Sequence, residues 1–199
     1  MEAIKTFLKI WCVLACLALL GFGCTTTATD FKTQRSPEEK LKTADADTHT
    51  NLGNELGRKG DLEGAITEYR TELRLAPKHV LAHYYLGLAL DRKGNLEGAI
   101  TEYRTALRLA PNHVLAHYHL GVALHRKGDQ KGAITEYRTA LRLAPNHVDA
   151  HYNLGVALKS LGRKAEAKGE FQQALKLLGR VPSTQKKVED VRQQLRDVE

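Results

Sequence analysis

Val80–His113, VLAHYYLGLALDRKGNLEGAITEYRTALRLAPNH, runs directly into Val114–His147, VLAHYHLGVALHRKGDQKGAITEYRTALRLAPNH. The two 34-residue stretches agree at 28 positions, and two more divergent copies flank them at 46–79 and 148–181. A fixed period of this length marks a chain that stacks one supersecondary unit. Each unit reads as two helices. In the second unit Leu86, Ala89 and Leu90 recur at helical spacing, and Gly94 stands where the helix end wants a left-handed residue. Asn95 is the expected cap of the next helix, which carries Ala99, Tyr103, Ala106 and Leu107 on one face and stops at Pro111. Neither helix can bury its apolar stripe alone. The fold expected is therefore all-α, an α-solenoid of four helix-turn-helix units whose stability is shared between repeats and interfaces.

These residues resemble the tetratricopeptide repeat. That family shows Leu-Gly at the seventh and eighth positions, then Ala, an aromatic, Ala and Pro at fixed places. Here they are Leu86-Gly87, Ala99, Tyr103, Ala106 and Pro111, and again Leu120-Gly121, Ala133, Tyr137, Ala140 and Pro145. The first unit has Glu72 in place of the second Ala, and the last has Gly179 in place of Pro. Where the family often has Trp, this chain has His49, His83, His117 and His151. The small residues should let two helices approach closely, and Tyr103, Tyr137 and Phe171 are expected to fill the space between units. Pro182–Glu199 carries Val188, Val191, Leu195 and Val198 at three- and four-residue spacing, which reads as a C-terminal capping helix, 182–199.

The N-terminus has a different character. Lys5 and Lys9 precede Ile10–Gly23, IWCVLACLALLGFG, which is uncharged, long enough for a signal-peptide core and short for a transmembrane helix. Cys24 follows, then the small polar run TTTATD. The arrangement resembles a bacterial lipoprotein signal, although Leu20 lies four residues before the cysteine where the family has it at three. The resemblance implies cleavage of 1–23, lipidation of Cys24 (palmitate among its acyl chains) and anchoring in the bacterial cell envelope, with Thr25 favouring the periplasmic side of the outer membrane. An uncleaved N-terminal anchor is the alternative. Residues 24–45 then form a polar tether, in which Ser36-Pro37-Glu38-Glu39 is either a helix start or part of a solvated spacer.

The full chain of 199 residues has 30 basic and 23 acidic residues, a net charge of +7. Without residues 1–23 it keeps 28 basic and 22 acidic residues. Much of the excess recurs in register: Arg92-Lys93 and Arg126-Lys127 near the first helix's end, and Arg70/Arg74, Arg104/Arg108 and Arg138/Arg142 along the second. Four-residue spacing puts each arginine pair on one helix face. The array reads either as a solvated face partly neutralised by Glu68, Glu102 and Glu136 or as a stripe for anionic lipid, envelope polymer or an acidic partner. Nucleic acid is not an expected partner of an exported chain.

Signals for chemistry are sparse. No Gly-rich phosphate loop, Gly-x-Ser-x-Gly elbow or His-Glu-x-x-His string occurs, so no enzymatic activity and no cofactor are expected. His79/His83, His113/His117 and His147/His151 are each four apart, but the first of each pair falls in a turn and the pairing follows from repeat copying. No metal site is expected.

By resemblance, the concave face of such an array comes from the first helix of each unit. That implies Thr50, Asn54 and Arg58; then Leu81, Tyr84, Leu88 and Arg92; then Leu115, Tyr118, Val122, His125 and Arg126; then Tyr152, Val156 and Lys159. Tyrosines with aliphatics, rimmed by positive charge, suit an extended or helical peptide with acidic flanks. The alternative is that Tyr84, Tyr118 and Tyr152 pack within the array. The carboxylate clamp of some family members is not reproduced, because its Lys and Asn positions hold Thr50 and Tyr85. The expected function is that of a protein-interaction adaptor or assembly factor.

Overall fold

A computed structural model describes residues 37–179 and 185–198. The chain divides into two units, 1–37 and 38–199, and the helices below belong to the second apart from the first residue of α1. The signal and lipidation readings, and residues 182–184 at the start of the expected capping segment, lie outside the described residues.

The described residues form nine helices and no strand: α1 (Pro37–Lys59), α2 (Leu62–Leu75), α3 (Val80–Arg92), α4 (Leu96–Leu109), α5 (Val114–Lys127), α6 (Gln130–Leu143), α7 (Val148–Ser160), α8 (Lys164–Leu178) and α9 (Gln185–Arg196). α1 starts at Pro37, whose fixed φ and missing N–H suit a first turn, and runs on without a break as the first helix of the first repeat.

Short-range chemistry sets each helix boundary. Gly60, Gly94, Gly128 and Gly162 take φ of +89°, +86°, +92° and +74°, reversing the chain between the two helices of every repeat. Asp61, Asn95 and Asp129 then cap α2, α4 and α6, each accepting from the backbone N–H three residues on. Arg163 holds the matching place before α8 and makes no side-chain cap.

Packing inside a repeat is a contact of glycine with an aromatic ring. A Cβ on Gly87 would lie 2.6 Å from Tyr103 Cε1, and Gly53, Gly121 and Gly155 stand in the same way to Tyr69, Tyr137 and Phe171. This differs from the sequence expectation. The aromatic closes its own unit first, because the glycine that makes room for it lies on that unit's first helix. The tight face of α4 also includes Ile100, fully packed beside Ala99, Tyr103 and Ala106, while Leu107 is only half-buried. Between repeats each second helix packs on the next first helix, and consecutive first helices (α3 with α5, α5 with α7) touch directly.

At the far end α9 takes the place of a fifth first helix. Val188 and Val191 fall 34 residues after Leu154 and Ala157, and Val191 and Val198 are buried while Val188 and Leu195 pack partly. Glu189 occupies the position that Gly155 holds in the fourth repeat.

Candidate functional site

Along the first-helix face lies a cleft of about 890 Å³ between α1, α2 and α3. Its apolar wall is Leu52, Tyr69, Tyr85 and Leu88; Asn51, Asn54, Arg58 and Arg92 supply polar groups, and the carboxylate that lines it, Glu55, is paired with Lys59 at 2.6 Å. Tyr69 donates from its hydroxyl to Asn54 Oδ1 at 2.7 Å and stacks on Tyr85 at 6.0 Å, so the floor is fixed before anything binds. Burial pushes the Tyr69 hydroxyl pKa up to about 12, which keeps it a neutral donor. Leu52 is 42% exposed, a large apolar side chain left open to solvent at this site.

Of the face expected from sequence, Asn54, Arg58, Leu88 and Arg92 meet in this cleft. Tyr85, Leu52 and Asn51 line it as well and fall outside that set; the paired Tyr84-Tyr85 was the available signal. Thr50 is buried, with no hydrogen-bond partner for its hydroxyl among the described residues. Tyr84 is 5% exposed, wedged against Tyr85, Tyr103, His113 and His119, so it has almost no surface to offer. Tyr118 and Tyr152 are half-buried, and Tyr118 accepts a hydrogen bond from Asn153 at 3.0 Å. Leu81 and Leu115 are exposed, while Val122, His125 and Val156 are half-buried.

The cations at the first-helix ends link one repeat to the next. Arg92 donates to the Gly57 carbonyl at 3.2 Å, Arg126 pairs with Asp91, and Lys159 reaches Gln194 of α9 at 3.1 Å and Asp197, just past that helix, at 2.8 Å. Lys93 pairs with Glu63 and Lys127 with Glu97 across the same junctions.

The histidines also have structural partners. His49, His83, His117 and His151 each meet a glutamate nineteen residues later, Glu68, Glu102, Glu136 and Glu170, at 2.6–2.7 Å through Nδ1. In the last three, Nε2 faces the carbonyl of Pro77, Pro111 or Pro145 at 2.9–3.1 Å. A ring with acceptors at both nitrogens can donate to both only as imidazolium. At His83 and His151 burial opposes that charge, but the glutamate and the proline carbonyl outweigh it and raise the pKa. The four-apart histidines do different work: His113 and His147 accept from the Ala116 and Ala150 N–H groups as helix caps. His79 instead pairs with Glu72, which is fully buried. Among the described residues no three of His, Cys, Asp and Glu are placed to hold a metal ion.

An acidic residue therefore recurs with these histidines, nineteen positions on. The same glutamates serve the histidines and leave the arginines beside them.

No helix among the described residues is long and apolar enough to cross a membrane. Among curated proteins none matches the chain. Models of the tetratricopeptide repeat match residues 50–114, 123–162 and 148–180. Among solved structures, the chain is similar to MamA, at 25% identity over 72% of this chain and 85% of that one, with a TM-score of 0.66. A Pseudomonas aeruginosa PilF structure shares the fold at 23% identity, covering 78% of this chain and 71% of that one, with a TM-score of 0.67. So does the first tetratricopeptide-repeat domain of Spaghetti (RPAP3) bound to the HSP90 peptide SRMEEVD, at 21% identity, 59% and 93% coverage and a TM-score of 0.58. The fold, the glycine–aromatic contacts and the matched models agree: the repeat region of this chain belongs to the tetratricopeptide-repeat family.

Proposed function

We propose that the protein is an adaptor without chemistry of its own, which holds a segment of another protein along the face of its first helices, starting from the α1–α3 cleft. The observation that carries this reading is the cleft itself. It combines an exposed leucine and a tyrosine pair with Asn51, Asn54, Arg58 and Arg92, the mixture of apolar anchors and oriented polar groups that binds peptide segments. The two arginines favour a segment with acidic flanks. A similar array with a peptide bound adds support.

The proposal extends to location. The Lys5/Lys9 start, the apolar run to Gly23 and Cys24 support lipidation and an anchor in the bacterial envelope, at the periplasmic side of the outer membrane. Palmitate incorporation should be lost in Cys24→Ala; unchanged labelling overturns the anchor.

The adaptor reading is tested by site-specific photo-crosslinking in the native envelope. Crosslinkers at positions 52, 58 and 88 should trap one common partner, and a crosslinker at position 101 on the exposed side of α4 should not. Equal trapping from position 101 overturns the cleft as the binding site.

A further inference from the structure

The arginines of the second helices are the largest charged feature that the adaptor reading leaves unused. Arg70, Arg74, Arg104, Arg108, Arg138 and Arg142 are all exposed, at the same two positions of α2, α4 and α6. A run of this kind is ordinarily neutralised by acids on the same helix. Here those acids are engaged elsewhere: Glu68, Glu102 and Glu136 turn to histidines of the first helices, Glu63 and Glu97 turn to Lys93 and Lys127, and Glu72 is buried against His79. Arg138 finds Glu166 of α8 at 2.9 Å, and Arg74 donates to Thr71. Arg70, Arg104, Arg108 and Arg142 have no ion pair among the described residues.

We propose that this face of α2, α4 and α6 docks on an anionic bilayer, reading lipid phosphate by charge. Guanidinium groups match phosphate geometry. The threonines beside the arginines (Thr67, Thr101, Thr105, Thr135 and Thr139) donate to carbonyls of their own helices, so the face offers charge density in place of a pattern of specific donors. The aromatic rings of these helices, Tyr69, Tyr103 and Tyr137, are buried inward, which leaves none to stack on nucleotide bases. Identical cations repeating over three helices suit a continuous sheet of headgroups better than one acidic peptide of defined length. This surface is separate from the cleft, and it stands whether or not the cleft binds a peptide.

The test uses the full chain and vesicles of phosphatidylcholine alone, or of phosphatidylcholine with phosphatidylglycerol, sedimented at low and high salt. Binding to phosphatidylcholine alone gives the baseline set by the apolar N-terminus. Phosphatidylglycerol should raise partitioning at low salt, and R70Q/R104Q/R108Q/R142Q should lose that increment, each arginine contributing roughly fivefold at an anionic surface. High salt should remove the same increment. Matching circular dichroism shows that the variant is folded; if it is not, Arg104→Gln alone should still lose a measurable part. An increment equal in wild type and variant, or none at all, overturns the proposal. Polyglutamate or duplex DNA that binds with the four-arginine dependence while phosphatidylglycerol gives no increment overturns it in favour of an acidic protein or a nucleic acid.

Discussion

Gly87 and Tyr103 divide one volume between two helices, since a Cβ at residue 87 would lie 2.6 Å from the Tyr103 ring. Helix propensity alone favours alanine over glycine by about 1 kcal/mol. At Gly87 the clash should reverse the sign, and Gly87→Ala is expected to cost about 1 to 2 kcal/mol net, since overpacking typically costs 1–3. Gly169 in α8 has nothing within 4 Å of its missing Cβ, so Gly169→Ala should stabilise by up to about 1 kcal/mol. Urea unfolding of the two variants checks the contrast.

The histidine–glutamate pairs should give stability of acid sign. The folded pKa values of His83 and His151 are raised, so their contribution is fully present below the unfolded value and is lost as pH rises through the folded one. Glu102→Gln with Glu170→Gln should therefore lower the urea midpoint most near pH 5.5 and least near pH 8.5, by about 1 kcal/mol per pair at the acid end. An equal loss at both pH values would show that the pairs do not depend on charge.

His119 works in the other direction. It stands among Tyr84, Tyr103 and Tyr118, and burial, with His147 nearby, lowers its pKa to about 4. A lowered histidine contributes stability above the unfolded value, lost as pH falls through the folded one. Wild type should weaken between about pH 6.5 and 4 by an amount on the order of 3 kcal/mol. His119→Asn, the residue the fourth repeat carries as Asn153, should flatten that part of the stability profile.

Among the described residues Glu72 is the one buried acid, and it stands where the other repeats carry Ala106, Ala140 and Ala174. Removing its partner leaves a buried carboxyl without its pair, so His79→Ala should cost about 1–3 kcal/mol. Glu72→Ala removes that buried polar group and frees His79 to cap α3 as His113 caps α5, so it should be neutral or stabilising. Thermal melts of the two variants separate these outcomes.

The fold was legible because its determinants are local and copied. Gly94, Asn95, Gly87 and Tyr103 announce a turn, a cap and a close approach, and the 34-residue period repeats the message four times. The binding face was legible only in part. Arg126 and Arg92 have the composition of a binding rim, yet each also turns its Nη1 to the preceding helix end, a contact 35 residues away that no helical pattern encodes and that leaves only the remaining donors to the rim. Tyr84 was placed on the surface by position alone. The extra ring of Tyr85 and the approach of His113 and His119 cover it. The histidine–glutamate link was written in the sequence as a recurring separation of nineteen, hidden because the two residues sit on different helices.

Glu189 has a consequence for how such a chain can change length. A further second helix stacked on α9 would bring its aromatic ring over position 189, where the four repeats have glycine and α9 has glutamate. Adding a repeat after α9 would therefore call for a change at that residue. Growth by duplication in the middle is open, because Val80–His113 and Val114–His147 already present compatible surfaces at both junctions. A copy inserted between them would meet neighbours it already fits. The near-identity of those two units is what a recent event of that kind would leave behind.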